Sequence, residues 1–193
     1  AKSLTVSGIT ASNKTYDGST NVTLTGTAVY NGLVSGDTFN GTYTGAFSDK
    51  NVGTGKTVTI TSSYSGADVS NYSVTDQSST TANITAKSLT VSGITASDKI
   101  YDGSVTATMN GNSAVYSGLV SGDTFNGSYT GAFSNANVGT GKTVTITPSY
   151  SGADVNNYTV TNQSSTTADI SAKALTATAS TVSYTHLTLP TTC

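Results

Sequence analysis

The sequence predicts an all-β protein: two tandem small β-sandwich (Ig-like) domains in an elongated array. Three observations carry this expectation. Lys supplies all eight positive charges and Asp all ten negative ones, while Thr, Ser, Gly and Asn take the place of Arg, Glu and Trp, so strand and turn formers dominate. Apolar and polar residues alternate in short runs with a period of two, which turns one face inward and the other to solvent. The ten residues Ala1 to Thr10 return unchanged at Ala86 to Thr95, and most of the following pattern returns with them.

Along the chain, Leu4, Val6 and Ile9 mark the first strand-like run, and Val22 and Leu24 alternate in the second. Gly32 to Asp37 is turn-rich but long enough for one helical turn, which admits a grasp-like α+β repeat as the alternative fold. Phe39 to Phe47, around Tyr43, reads as a strand. Asn51 to Lys56 reads as a tight loop leading into the strand Thr57-Val58-Thr59-Ile60-Thr61. Tyr72 and Val74, then Ala82 and Ile84, complete six or seven strands per repeat without an amphipathic helix. A sandwich is the natural way to bury one face of each.

The second copy is recognised by Tyr101-Asp102-Gly103 for Tyr16-Asp17-Gly18, by Gly118 to Phe125 for Gly32 to Phe39, and by Asn137 to Lys142 for Asn51 to Lys56. The expected divisions are residues 1–85, residues 86–171, and the opening of a truncated third repeat over 172–181, beginning Ala172-Lys173-Ala174-Leu175-Thr176. A repeat of this length exceeds a solenoid unit of roughly 20–50 residues and suits a small domain with its own core, so beads in a row are expected. Residues 182–193 break the pattern. Reverse translation of Val182 to Thr191 resembles a transposase adapter of DNA library preparation, so this tail is expected to be translated adapter and is set aside from fold reasoning. With it go the sole His186 and the sole Cys193, and with them any Cys/His nucleophile pair or zinc site. The chain starts in mid-pattern at Ala1 and reads as an internal fragment.

Hydrophobic residues at 35% with a net charge of −2 favour a folded chain over a disordered one. That charge offers no electrostatic reason to bind nucleic acid or an acidic membrane. No apolar run approaches the ~20 residues that span a bilayer. No catalytic, cofactor-binding or metal-binding residue is expected, because acid–base work would fall to Asp, Lys or Tyr alone. Asp17 and Asp102 read as turn residues, with Tyr16 and Tyr101 packed at the turn edge and their hydroxyls partnered. Asp37, Asp68, Asp123 and Asp154 also lie in turns. Calcium needs six to eight oxygens, and only a site between domains stays open as an alternative. Asn51 to Thr57 lacks the spacing of a phosphate loop. The Thr rows Thr57-Thr59-Thr61 and Thr143-Thr145-Thr147 read as the exposed side of ordinary strands. Lys14, Lys56, Lys99 and Lys142 would need a buried carboxylate beside them to form isopeptide links to Asn.

Lys14 to Gly18, Gly36-Asp37, Phe47, Asn51 to Lys56, Ser65 to Asp68, Asn71-Tyr72 and Thr80 to Ile84, with their second-copy counterparts, resemble the YDG-type repeat domain of large exported bacterial adhesins of the filamentous-haemagglutinin-like kind. The resemblance implies an extracellular or cell-surface location and repeat arrays, and it supplies no catalytic residues. The expected function is a structural stalk or spacer segment displaying a distal binding region, and not an enzyme. Its partners would be neighbouring repeats of the same chain, with host or matrix glycan or protein as a further class, and neither nucleic acid nor membrane insertion. The alternative is an adhesive module that binds host glycan or protein directly, through the run that differs between copies, Thr20 to Thr27 against Val105 to Asn112. No cofactor is expected.

Overall fold

The structure is a computed structural model that describes residues 1–180. The proposed adapter run, with His186 and Cys193, lies outside the described residues. The first repeat consists of β1 (Lys2–Ser7), β2 (Thr10–Ala11), β3 (Lys14–Thr15), β4 (Leu24–Thr25), β5 (Val29–Asn31), β6 (Asn40–Phe47), β7 (Gly53–Ser65), β8 (Tyr72–Thr75) and β9 (Ser79–Thr85). One sheet has the order β5-β1-β8, a second β3-β9-β7-β6, and β2 pairs with β4 alone. Two pairings, β1 with β8 and β3 with β9, are parallel. Each joins an early strand to a late one, so the repeat closes on itself.

The period-two reading is realised in β7. Val58 and Ile60 are buried, while Thr57, Thr59 and Thr61 face solvent. The two sheets share their apolar faces: Val6 and Ile9 from the β1 side pack with Ile60 of β7, and Tyr30, Tyr43, Tyr64 and Val74 pack around them. Phe39 is ringed by Tyr30, Tyr64 and Tyr72, at centroid distances of 5.2, 5.0 and 5.8 Å. This cage explains why so small a core carries so many tyrosines. Gly41 makes room for it: a Cβ there would collide with the hydroxyls of Tyr43 and Tyr30. Gln77 fills the gap between β1 and β2 by holding Ile9 at both ends, its amide accepting from Ile9 N at 3.0 Å and donating to Ile9 O at 2.6 Å.

The second repeat follows the same plan. It contains β10 (Lys87–Ser92), β11 (Thr95–Ala96), β12 (Lys99–Ile100), β13 (Thr106–Ala107), β14 (Met109–Asn110), β15 (Val115–Ser117), β16 (Asn126–Phe133), β17 (Gly139–Ser151), β18 (Tyr158–Thr161) and β19 (Ser165–Ser171). Its sheets run β15-β10-β18 and β12-β19-β17-β16-β13, with β11 paired to β14. The added strand β13 comes from the run that differs most between copies. In the first repeat that run forms only β4 and one isolated bridge, Asn21 to Ala46.

The chain is all-β, in two tandem domains, and the described residues contain no α-helix. Gly32 to Asp37 forms turns, with Asp37 N donating to Val34 O at 3.2 Å, so the grasp-like alternative is not adopted. Among the described residues the only helical pieces are the single 3-10 turns Val69–Asn71 and Val155–Asn157. Asn51 to Lys56 is only partly a loop: β7 already begins at Gly53 and absorbs the Gly-Thr-Gly as a bulge before Lys56. Sheets stay within their repeats, but cores do not. Tyr16, Phe47, Val58, Ala82 and Ile84 form one buried cluster with Leu89, Phe125 and Tyr158 of the second repeat. The beads expected from the sequence are therefore fused where they meet. Only Ala86 separates β9 from β10.

Candidate functional site

The most densely connected polar cluster among the described residues lies at that joint. From the first repeat, the turn after β3 brings Tyr16, and the turn after β6 brings Lys50, Asn51 and Val52. From the second, the turn before β16 brings Asp123, and the 3-10 turn before β18 brings Asp154 and Asn157. Tyr16 is placed by its backbone: its N–H donates to Thr85 O at 2.8 Å, which extends the β3–β9 pairing by one rung. Its ring meets Tyr158 edge-on at 5.5 Å.

The hydroxyl of Tyr16 donates to the Asp123 carboxylate, at 2.8 Å to Oδ2 and 3.0 Å to Oδ1. Tyr158 donates to the same Oδ2 at 2.5 Å. Lys50 Nζ bridges two carboxylates, at 3.1 Å from Asp123 and 2.9 Å from Asp154, and lies 5.9 Å from the Tyr16 ring centroid. Beside this knot, Val52 N donates to Asn157 Oδ1 at 2.9 Å, and Asn157 Nδ2 donates to Asn51 Oδ1 at 3.2 Å. Every hydrogen bond and ion pair in this set crosses from one repeat to the other except Tyr158 to Asp123.

The electrostatics follow from the geometry. Burial pushes the Asp123 carboxyl up, but hydrogen bonds from Tyr158, Tyr16 and Lys50 outweigh it and hold its pKa below the usual value. Asp154 is held down by Lys50 first and the Thr124 amide second. The same two carboxylates push Lys50 up, Asp154 more than Asp123. Burial raises Tyr16, and its bond to Asp123 raises it further. Tyr158 is pushed up to about 12 by burial and then by Asp123. At neutral pH the knot therefore holds one ammonium between two carboxylates and two neutral phenols that both donate to Asp123.

This arrangement fastens the two repeats together through paired charges and hydrogen bonds. The Lys50 ammonium stands between the carboxylates of Asp123 and Asp154, in the region where a calcium ion between domains was the open alternative. Among the described residues, no group of three or more His, Cys, Asp or Glu is placed to hold a metal ion. The remaining candidates are local. Asp17 Oδ1 accepts from Lys14 Nζ at 2.8 Å and from Ser19 N at 2.9 Å, and Asp102 is bound likewise by Lys99 and Ser104. Lys56 pairs with Asp49 at 2.7 Å. Lys142 donates to Asn135 at 2.6 Å on an exposed loop.

Asp37 and Asp68 of the first repeat make only the within-repeat part of these contacts, Asp37 accepting from Tyr72 and Asp68 from Thr38 N. Sequence reasoning placed Tyr16 and the four aspartates in turns but did not bring them together, and it missed Lys50, Asn51 and Asn157 as partners. One signal was available: Asp49-Lys50 becomes Asn135-Ala136 inside an otherwise identical stretch.

No curated protein and no solved structure significantly matches the chain. A scan against family models matches the YDG domain twice, over residues 1–82 and 85–168. The two matches fall on the two repeats, and the chain belongs to the YDG-domain family.

Proposed function

We propose that the chain is a structural stalk or spacer segment of an exported bacterial surface adhesin, holding a distal binding region away from its anchor. The observation that carries this reading is the joint. A spacer transmits position only if its units are fixed to one another, and here a one-residue link is reinforced by a continuous apolar cluster and a two-carboxylate lysine clamp. Interfaces between domains of one chain are by default permissive of motion unless apolar and well packed; at this one Tyr16 is buried and Val52 and Val120 are half-buried, whereas their counterparts Tyr101, Val138 and Val34 are exposed. Small-angle scattering tests the reading. The chain should give an extended particle of one well-defined length, and Lys50→Ala combined with Tyr16→Phe should broaden the distribution of distances. A compact particle, or a distribution untouched by the two substitutions, would count against a fixed spacer.

A second reading, direct adhesion to host glycan or protein, draws support from one feature. A depression of about 270 Å³, lined in part by Asn13, Lys14, Asn21 and Thr23, lies beside the run that differs between copies. Polar side chains around a shallow hollow suit a sugar better than an apolar ligand. A glycan-binding assay in which Asn21→Ala removes the signal would favour this reading over the spacer.

A further inference from the structure

The joint uses two different surfaces, one from each repeat, and each repeat carries both. The counterpart of the Asp123 face lies on the first repeat and is already assembled. Tyr72 donates to Asp37 Oδ2 at 2.5 Å and accepts from Val34 N at 3.0 Å, and Thr38 N donates to Asp68 Oδ2 at 2.8 Å. The same three bonds in the second repeat measure 2.5, 2.9 and 2.9 Å. The counterpart of the Tyr16 face lies on the second repeat and is equally preformed. Tyr101 N donates to Ser171 O at 2.8 Å, and Asn137 N to Asn135 Oδ1 at 3.0 Å.

The difference lies in exposure. Tyr16 is 1% exposed and Tyr101 is 41% exposed; Val138 is 53% exposed, while Val52 is half-buried. Asn157 is buried and Asn71 is exposed. Each outer end thus shows the half of a joint that the other end lacks.

We propose that these two outer faces are docking surfaces for a second copy of this chain. Tyr101, Asn137 and Val138 of one copy would seat on Asp37, Asp68, Asn71 and Tyr72 of the next, in the geometry of the internal joint. The contact is heterologous, so it propagates head to tail and does not close into a symmetric pair. It would also be weaker than the internal joint, because Ala136 stands where Lys50 supplies the ammonium, leaving Asp37 and Asp68 to meet no cation. The inference rests on reading the joint as a contact of an array.

Sedimentation equilibrium under reducing conditions, with Cys193 unable to cross-link, tests it. The unchanged chain should associate weakly, and Ala136→Lys should tighten association about tenfold, since close charge pairs at interfaces couple strongly. Adding Asp37→Asn and Asp68→Asn should abolish that gain. Val138→Asp, at an exposed site that leaves the fold alone, should abolish association by itself, which keeps the test decisive if the aspartate variant does not fold. The proposal is overturned if Ala136→Lys leaves association unchanged, or if its gain survives Val138→Asp. A chain with a fixed length in scattering that fails to associate would remove the docking faces and leave the spacer reading standing.

Discussion

Tyr16 and Tyr101 occupy the same tripeptide and make the same backbone hydrogen bond, yet one is buried and the other half-exposed. Position in the array, and not local sequence, decides what each contributes. Tyr16→Phe removes a donor from a buried carboxylate and should cost about 1.5–3 kcal/mol in urea unfolding, the range for hydrogen bonds to charged groups. Asp123 keeps Tyr158 and Lys50, so the lower end of that range is expected. Tyr101→Phe should stay within about 0.5 kcal/mol of the unchanged chain, as surface substitutions do. Equal costs at the two positions would mean that the hydroxyl of Tyr16 adds nothing across the joint.

At the scale of elements, the turns after β3 and β6 do the joining, while the long hairpins β6–β7 and β16–β17 supply the platform. Gly18 and Gly103 allow a direct comparison. Both have positive φ, near +79° and +78°, so any side chain is strained equally at either. A Cβ at Gly18 would lie 2.9 Å from Val120 Cγ1 across the joint, whereas a Cβ at Gly103 meets nothing within 4 Å. Gly18→Ala should therefore destabilise the chain more than Gly103→Ala, by about 1 kcal/mol of added overpacking in thermal or urea unfolding. The backbone penalty cancels in the difference, which leaves the contact between repeats as the quantity measured.

For the whole molecule, the joint makes the relation of the two repeats depend on pH at both extremes. Asp123 and Asp154 have folded pKa values below their ordinary ones. Their contribution is full above the unfolded value of about 4 and is lost as pH falls through the lowered values. Tyr16 and Tyr158 are raised, so their contribution is full below the unfolded value of about 10 and is lost as pH rises through the folded values, about 12 for Tyr158. Resonance energy transfer between dyes on the two repeats should be constant from about pH 5 to 9 and fall outside that window. A transfer efficiency that changes near pH 7 would point to some other group, and the described residues contain no histidine.

The sequence by itself determined the all-β class, the two-repeat organisation and the inward faces of the strands. Those properties are periodic: Val58 and Ile60 between threonines can bury only one side of β7, and an 85-residue repeat of that pattern can only build the same domain twice. It also placed Tyr16, Asp123 and Asp154 in turns. It did not show the parallel closure of β1 on β8, the strand start at Gly53, or β13, because pairing partners and bulges depend on contacts far apart in the chain. Only the tertiary structure put Tyr16 and Lys50 against Asp123, across more than 70 residues. A tyrosine or an aspartate in a turn looks the same in either repeat. What distinguishes them is whether another repeat packs on that turn, and that is a property of how domains meet.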